Sequence, residues 1–320
     1  MRSNNRLRKF AMAAGGTAAA LALLLAAVMM TQPPLQAGGR TMTEGGSVND
    51  KPDMTGRKVY YSDRVAVLMY HHLQEEPEAK HILSARQFER QMELLKEYGF
   101  RVIDARQYAA FMLEGAPVPD NAVLLTFDDG YASFYELAYP ILKKFEYPAV
   151  NFVIVSGIDR RDVPGLPKLT WEQMREMQQD GIDFMNHTYA MHYKTVDASG
   201  RERTATLRMY LPEEGRIETE EEYRRRVLED LTLAERRLAE ELGAEHGGDE
   251  RPKMLAFPYG AYSEELLEVL REAGIEVMFS VKSGINSRED RVGFRVDAGR
   301  SDREPEEVIR KLQALGTAVK

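Results

Sequence analysis

Two stretches carry side chains whose chemistry can be combined. Thr126-Phe127-Asp128-Asp129-Gly130 ends the apolar run Ala122-Val123-Leu124-Leu125. Two adjacent carboxylates therefore stand at the C-terminal lip of a buried strand, where barrels and open α/β sheets keep their reactive groups. His187 and His192 follow a second strand-like run, Ile182-Asp183-Phe184-Met185. One Asp with two His can hold a divalent metal and leave positions open for water and substrate, which frees the other Asp to act as a base. Each signal is weak alone. Asp-Asp-Gly is ordinary turn chemistry, and two His five residues apart are more often incidental than ligands. Both fall after strands with helix starts between them, as successive βα loops do, and together they point to a metal site.

The elements that must position these residues alternate along the chain. Val65-Ala66-Val67-Leu68-Met69-Tyr70 reads as the first buried strand. Ser84 opens a helix with Gln87 as its capping-box partner, and Phe88, Gln91, Met92, Leu95 and Tyr98 follow at helical spacing up to Gly99. A short strand at 102–103, a short helix over 107–113, a helix over 132–145 and a strand over 149–155 come next. Thr170 caps a helix that stops at Gly181. A last set runs from strand 254–257 through Pro258-Tyr259-Gly260 into a helix capped by Ser263, then a strand over 275–281. Asp302 and Pro305 start a terminal helix. Strands alternating with helices predict a parallel α/β architecture, a distorted (β/α) barrel of about seven parallel strands. Residues 193–250 read as a charged insertion: a loop over 197–215, then a long helix opened by Thr219 and Glu222 and running to about Leu242. Tyr223, Val227, Leu231, Ala234 and Leu238 form its one apolar stripe, and its charge run is most simply a solvated face.

The 320-residue chain, 43% hydrophobic, is long enough for one large domain with its own core. Arg2, Arg6, Arg8 and Lys9 precede an apolar run over 10–30, a targeting pattern long enough to span a bilayer. Residues 1–31 are expected to be a signal or an uncleaved membrane anchor with its positive end inside, Leu35-Gln36-Ala37 being only a weak cleavage site. Residues 32–58 read as a flexible linker, leaving 59–320 as the catalytic domain. Cysteine is absent, which excludes disulfides and Cys-ligated zinc and fits a Gram-positive surface. The formal charge is −8. Without the four basic residues of the head it is about −12, so nucleic acid is not an expected partner and a neutral or cationic polymer is.

At this point the chain resembles the polysaccharide deacetylase family (NodB homology, carbohydrate esterase 4) over about residues 60–300. Thr126 to Gly130 is similar to its first motif, His187-Thr188 through His192 to its second, and Phe257-Pro258-Tyr259-Gly260 to its third. Val67-Leu68-Met69-Tyr70-His71-His72 is similar to the branch that deacetylates poly-N-acetylglucosamine of biofilms. The resemblance implies a barrel of NodB-homology type, with Asp129, His187 and His192 as metal ligands and Asp128 as general base. It also implies Tyr259 as an oxyanion donor through its backbone N–H. Zinc is the expected metal, with nickel, cobalt and iron as alternatives.

The two His are five apart, about 140° around a regular helix against about 40° for a spacing of four. An undistorted helix cannot aim both at one ion, so an irregular turn is expected there. No His follows His246, so the general acid common in the family near the C-terminus is missing. The branch supplies it from the first strand, which points to His71, with His72 as the fallback. Neighbouring strand residues face opposite ways, so only one of the two should face the site. Ala256 stands where the family often has an Arg that pairs with the catalytic Asp, and Arg295 is the candidate replacement. Trp171 and Tyr189 are candidate sugar-stacking faces, although core packing suits Trp171 better. The expected activity is hydrolysis of N-acetyl groups from a β-linked N-acetylglucosamine polysaccharide outside the cell, releasing acetate. Peptidoglycan or chitin oligomers are the alternative substrates, and an inactive glycan-binding module of the same fold is the alternative of another class.

Overall fold

The computed structural model describes residues 58–160, 164–243 and 251–317. The expected targeting segment and nearly all of the linker lie outside them. Among the described residues no helix is long and apolar enough to cross a membrane.

Among the described residues the first element is β1 (Val65–Tyr70), followed by a small parallel pair, β2 (Leu73–Gln74) and β3 (Leu83–Ser84). Helix α1 (Ala85–Glu97) starts at the Ser84–Gln87 capping box, and α2 (Ala105–Glu114) at a second box between Asp104 and Gln107, after the two-residue β4 (Arg101–Val102). Such caps stabilise a helix start by about 1 kcal/mol each. Then come β5 (Ala122–Asp128), α3 (Tyr139–Phe145), β6 (Ala149–Val153), α4 (Val155–Asp159), α5 (Trp171–Gln178) and β7 (Ile182–Asn186). Two antiparallel ribbons, β8 (Lys194–Val196) with β9 (Glu202–Thr204) and β10 (Tyr210–Leu211) with β11 (Arg216–Ile217), lead into α6 (Glu220–Leu242). The chain ends through β12 (Met254–Ala256), α7 (Glu264–Glu272), β13 (Val277–Phe279), β14 (Val296–Asp297) and α8 (Pro305–Thr317).

The main sheet runs β13-β12-β7-β6-β5-β1-β14, with β4 also on β5, and every pairing is parallel. This is the expected distorted (β/α) barrel. On its open side β13 meets the segment before β14 in a short parallel bridge, Gly293 N–H donating to the Met278 carbonyl and Ser280 N–H to that of Gly293. Asn286 exchanges backbone hydrogen bonds with Val65, and its side-chain amide donates to the carbonyls of Val65 and Phe294.

Strand alternation decides which side chains reach the barrel interior. Val65, Val67, Ala122, Leu124, Phe152 and Met185 pack together with α2 as an inner layer. The alternate residues Ala66, Leu68, Val123, Leu125 and Phe184 belong to a second layer with α1, α3 and α5. Extending that parity past the strand ends sends His71, Asp128 and His187 inward, and His72 and Asn186 outward.

Three expected elements differ. The helix over 132–145 begins as a wide π-turn, Phe134–Ala138, because Pro140 has no N–H for the carbonyl four residues back. The strand over 275–281 shortens to β13, since Ile275 N–H instead donates to Leu270 at the end of α7. The loop over 197–215 is folded into the two ribbons. The Asp197 carboxylate accepts from Ser199 and Arg201 N–H and so forms the first turn, with Gly200 at φ 78°.

Candidate active site

Asp128 is the last residue of β5 and lies almost wholly buried. Arg295, immediately before β14, is 0% exposed. It meets Asp128 as a fork, Nη1 to Oδ1 at 2.7 Å and Nη2 to Oδ2 at 2.8 Å. Its Nε donates to the Ser280 carbonyl at 2.9 Å, and its guanidinium lies 5.9 Å from the Phe152 ring centroid. Burial is the largest single influence on Asp128 and would raise its pKa, but the Arg295 charge, with His187, His71 and the Arg295 hydrogen bonds added to it, holds the carboxyl below the ordinary range. Arg295 thus occupies the role left open by Ala256.

His71 Nε2 lies 3.7 Å from Asp128 Oδ2, with the imidazole partly exposed. His72 turns the other way, its Nδ1 2.8 Å from Ser133 Oγ. Parity therefore brings His71, not its neighbour, to the carboxylates.

Asp129 sits on the far side of the strand end in the left-handed region, at φ 77°. Its Oδ1 is 3.4 Å from His187 Nε2 and 3.3 Å from His192 Nε2. One ligand atom from each of the three residues falls within 4.8 Å of the others. The chain from His187 to His192 is irregular, as five-residue spacing requires, with Thr188 at φ 71°. His187 Nδ1 lies 2.8 Å from the Ala256 carbonyl. That bond places the proton on Nδ1 and leaves the Nε2 lone pair facing Asp129.

Donor chemistry and spacing fit a divalent metal. Asp129 Oδ1 is buried without a hydrogen-bond partner. Two ligand atoms bound tetrahedrally at about 2.0–2.1 Å from zinc stand roughly 3.3 Å apart, close to both Asp–His separations. Burial and the neighbouring His187 push the His192 pKa down to about 4, so it is neutral at pH 7, the state a ligand needs.

Residues that the sequence did not mark complete the setting. Lys168 Nζ donates to the Asp129 carbonyl at 2.8 Å and lies 3.8 Å over the Tyr131 ring, which fixes the strained Asp129 backbone. Burial lowers the Lys168 pKa, and burial with the Asp129 charge raises that of Tyr131. A cleft of about 280 Å³, lined by His71, His72, Asp129, Tyr131 and Asp297 among others, opens beside the carboxylates. Neither expected stacking aromatic lines it. Trp171 is buried, with Nε1 bonded to Asp159 at 3.1 Å, and Tyr189 packs against the core. The exposed ring at the site is Tyr259, 44% exposed and 4.6 Å from the His192 ring.

Tyr259 also has positive φ (57°), and Gly260 follows at 69°. A Cβ on Gly260 would lie 2.4 Å from Val281 Cγ2 and 3.0 Å from Val281 N. Gly260→Ala is therefore expected to destabilise the fold by about 2–4 kcal/mol, from left-handed strain plus overlap. A urea titration checks it, and an unchanged midpoint would show that the turn relaxes.

The polysaccharide deacetylase family matches residues 115–278, just over half the chain, and the chain belongs to that family. Across 251 residues it is 27% identical to the poly-beta-1,6-N-acetyl-D-glucosamine N-deacetylase of Escherichia coli K12, covering 74% of this chain and 36% of that protein. The protein of the same name from Staphylococcus aureus MRSA252 is 25% identical over 201 residues, covering 62% and 61% respectively. The chain thus spans about a third and three-fifths of the length of these relatives. Among solved structures, a de-N-acetylase from Aggregatibacter actinomycetemcomitans superposes with TM-score 0.69 at 26% identity, covering 78% of this chain and all of that one. IcaB from Ammonifex degensii gives 0.64 at 26% identity, covering 80% and 98%.

Proposed function

We propose that this chain is a metal-dependent N-deacetylase of β-1,6-linked N-acetylglucosamine polymer. The observation that carries the reading is the orphaned Asp129 Oδ1 between two imidazoles, one strand residue from an Arg-held Asp128 and within reach of His71. The substrate is argued from the matched relatives, which are named for that activity.

Asp129, His187 and His192 would hold the ion. When bound there, a divalent metal supplies Lewis acidity, which favours ionisation of water and polarises the amide carbonyl. Asp128, kept ionised and fixed in orientation by Arg295, takes the proton from the attacking water. The Tyr259 backbone N–H supports the charge that develops on the carbonyl oxygen. His71, whose Nε2 lies 3.7 Å from Asp128 Oδ2, gives a proton to the nitrogen as the C–N bond breaks, so a free amine and acetate leave. The barrel interior below the site is filled by apolar side chains, so the cleft is the way in for the polymer.

Residues 59–320 form the catalytic domain in this reading, and residues 1–31 export it, leaving it tethered or released outside the membrane. The expectation of a Gram-positive surface finds no support, since the matched relatives come from Escherichia coli as well as Staphylococcus aureus.

The test is acetate release from β-1,6 N-acetylglucosamine oligomers with chelator and metal add-back. Release abolished by chelator and restored by metal is expected, with β-1,4 oligomers at least about tenfold slower, a difference of roughly 1.4 kcal/mol in the barrier. Faster turnover of β-1,4 oligomers would move the substrate to chitin or peptidoglycan. Binding of either oligomer without acetate release would make the chain a glycan-binding module.

A further inference from the structure

We infer that Asp230 and Glu235, on the side of α6 that faces β7, are positioning residues that shape the His187–His192 loop and thereby set the affinity of the site for its metal. This rests on the metal-dependent reading above and adds residues outside the three sequence motifs. The loop has no regular hydrogen bonding of its own, yet each of its five backbone N–H groups from His187 to Met191 has an acceptor. His187 N–H donates to the Val153 carbonyl on β6 at 3.1 Å. Thr188 N–H donates to Asn186 Oδ1 at 2.7 Å, and Met191 N–H to Thr188 Oγ1 at 3.2 Å. The two between them both go to α6: Tyr189 N–H to Asp230 Oδ1 and Ala190 N–H to Asp230 Oδ2, each at 2.8 Å. One carboxylate thus takes two successive amides with its two oxygens, a task no neutral side chain of that size can repeat.

Glu235 acts one step further back. Parity turns Asn186 outward, and its Nδ2 donates to Glu235 Oε1 at 2.9 Å. The other Glu235 oxygen accepts from Arg251 at 2.9 Å, and both side chains of that pair are almost fully buried. Glu235 therefore fixes the Asn186 amide, and the Asn186 oxygen in turn holds Thr188 in its left-handed conformation. Five-residue spacing puts the two imidazoles about 140° apart on any regular helix. These carboxylates hold the backbone in the shape that cancels that angle. A hydrogen bond to a ligand's backbone acts as an outer shell for the metal, and loss of such support typically weakens binding 10–100-fold.

The experiment uses the full chain, with Asp230→Asn as the main variant and Zn(II) and Co(II) alone as probes. Asn keeps the shape but presents an NH2 to one of the two amides. Expected are a 10–100-fold weaker Zn(II) affinity in competition with a chelating indicator, altered Co(II) visible bands, and activity that returns when metal is raised in proportion. The urea midpoint of the metal-free protein should stay near the parent's. An unchanged affinity with a lowered midpoint would overturn the inference and leave Asp230 as a fold residue only. If Asp230→Asn does not fold, Glu235→Gln takes its place, with at least threefold weaker affinity expected and parental affinity overturning the inference. A parent chain that binds neither ion would sink the metal reading itself, and this inference with it.

Discussion

Arg295→Met is expected to destabilise the protein by about 3–5 kcal/mol and to lower kcat at least roughly a hundredfold. Arg295 is fully buried and Asp128 is 3% exposed, so removing the guanidinium takes from a buried carboxylate its permanent counter-charge and both of its Arg hydrogen bonds. The sign of the pH dependence follows from the causes of the Asp128 shift. With Arg295 present the folded pKa lies below the unfolded one. The stabilisation is then complete above the ordinary carboxylate range and is lost as pH falls through the lower folded value. Without Arg295 the leading cause is burial, which raises the pKa, and the sign inverts. The variant should lose stability as pH rises through the carboxylate range, taking up a proton on folding and forfeiting its base. Urea midpoints of metal-free protein between about pH 4 and pH 8 separate the two cases. Adding Asp128→Asn to Arg295→Met should restore much of the stability and none of the activity. Parallel pH curves for parent and single variant would show that Arg295 does not govern the Asp128 carboxylate.

That pair also shows what the sequence could and could not disclose. Asp128 was legible because an apolar strand run ended on it; strand parity required that only one of His71 and His72 face it, and the family resemblance pointed to His71. Arg295 was only a candidate. Its partner lies 167 residues away, and nothing local in Phe294-Arg295-Val296 says that a guanidinium will be buried. The capping boxes at Ser84 and Thr219 and the cap at Thr170 are encoded within four residues and appear where the sequence put them. The irregular His187–His192 turn was legible as a necessity of spacing. What holds it was not, because Asp230 and Glu235 read as two more charges on a solvated helix until α6 is packed against β7. The ribbons at 194–217 were missed for a related reason. Their strands are only two or three residues long, so they carry no period for a pattern to detect. Local chemistry survives in sequence, whereas partners brought together only by the barrel do not.

Asp129→Asn is the other change with a large expected effect, and its consequences for stability and for activity should run in opposite directions. Asp129 Oδ1 is buried, lacks a hydrogen-bond partner and stands 3.3–3.4 Å from two imidazole nitrogens. An amide there gives up the anionic ligand, and zinc affinity should fall by more than about a thousandfold, roughly 4 kcal/mol. Acetate release should drop to background at metal concentrations that saturate the parent. Metal at about a thousand times its Kd should add about 4 kcal/mol to the stability of the parent chain and almost nothing to the variant. The metal-free variant should be no less stable than the metal-free parent, because it no longer buries a carboxylate oxygen without a partner. Thermal unfolding of both proteins, with chelator and with zinc, reads all four states at once. Equal zinc stabilisation in the two would place the ion away from Asp129, and the division of labour between the adjacent carboxylates would then have to be reversed or abandoned.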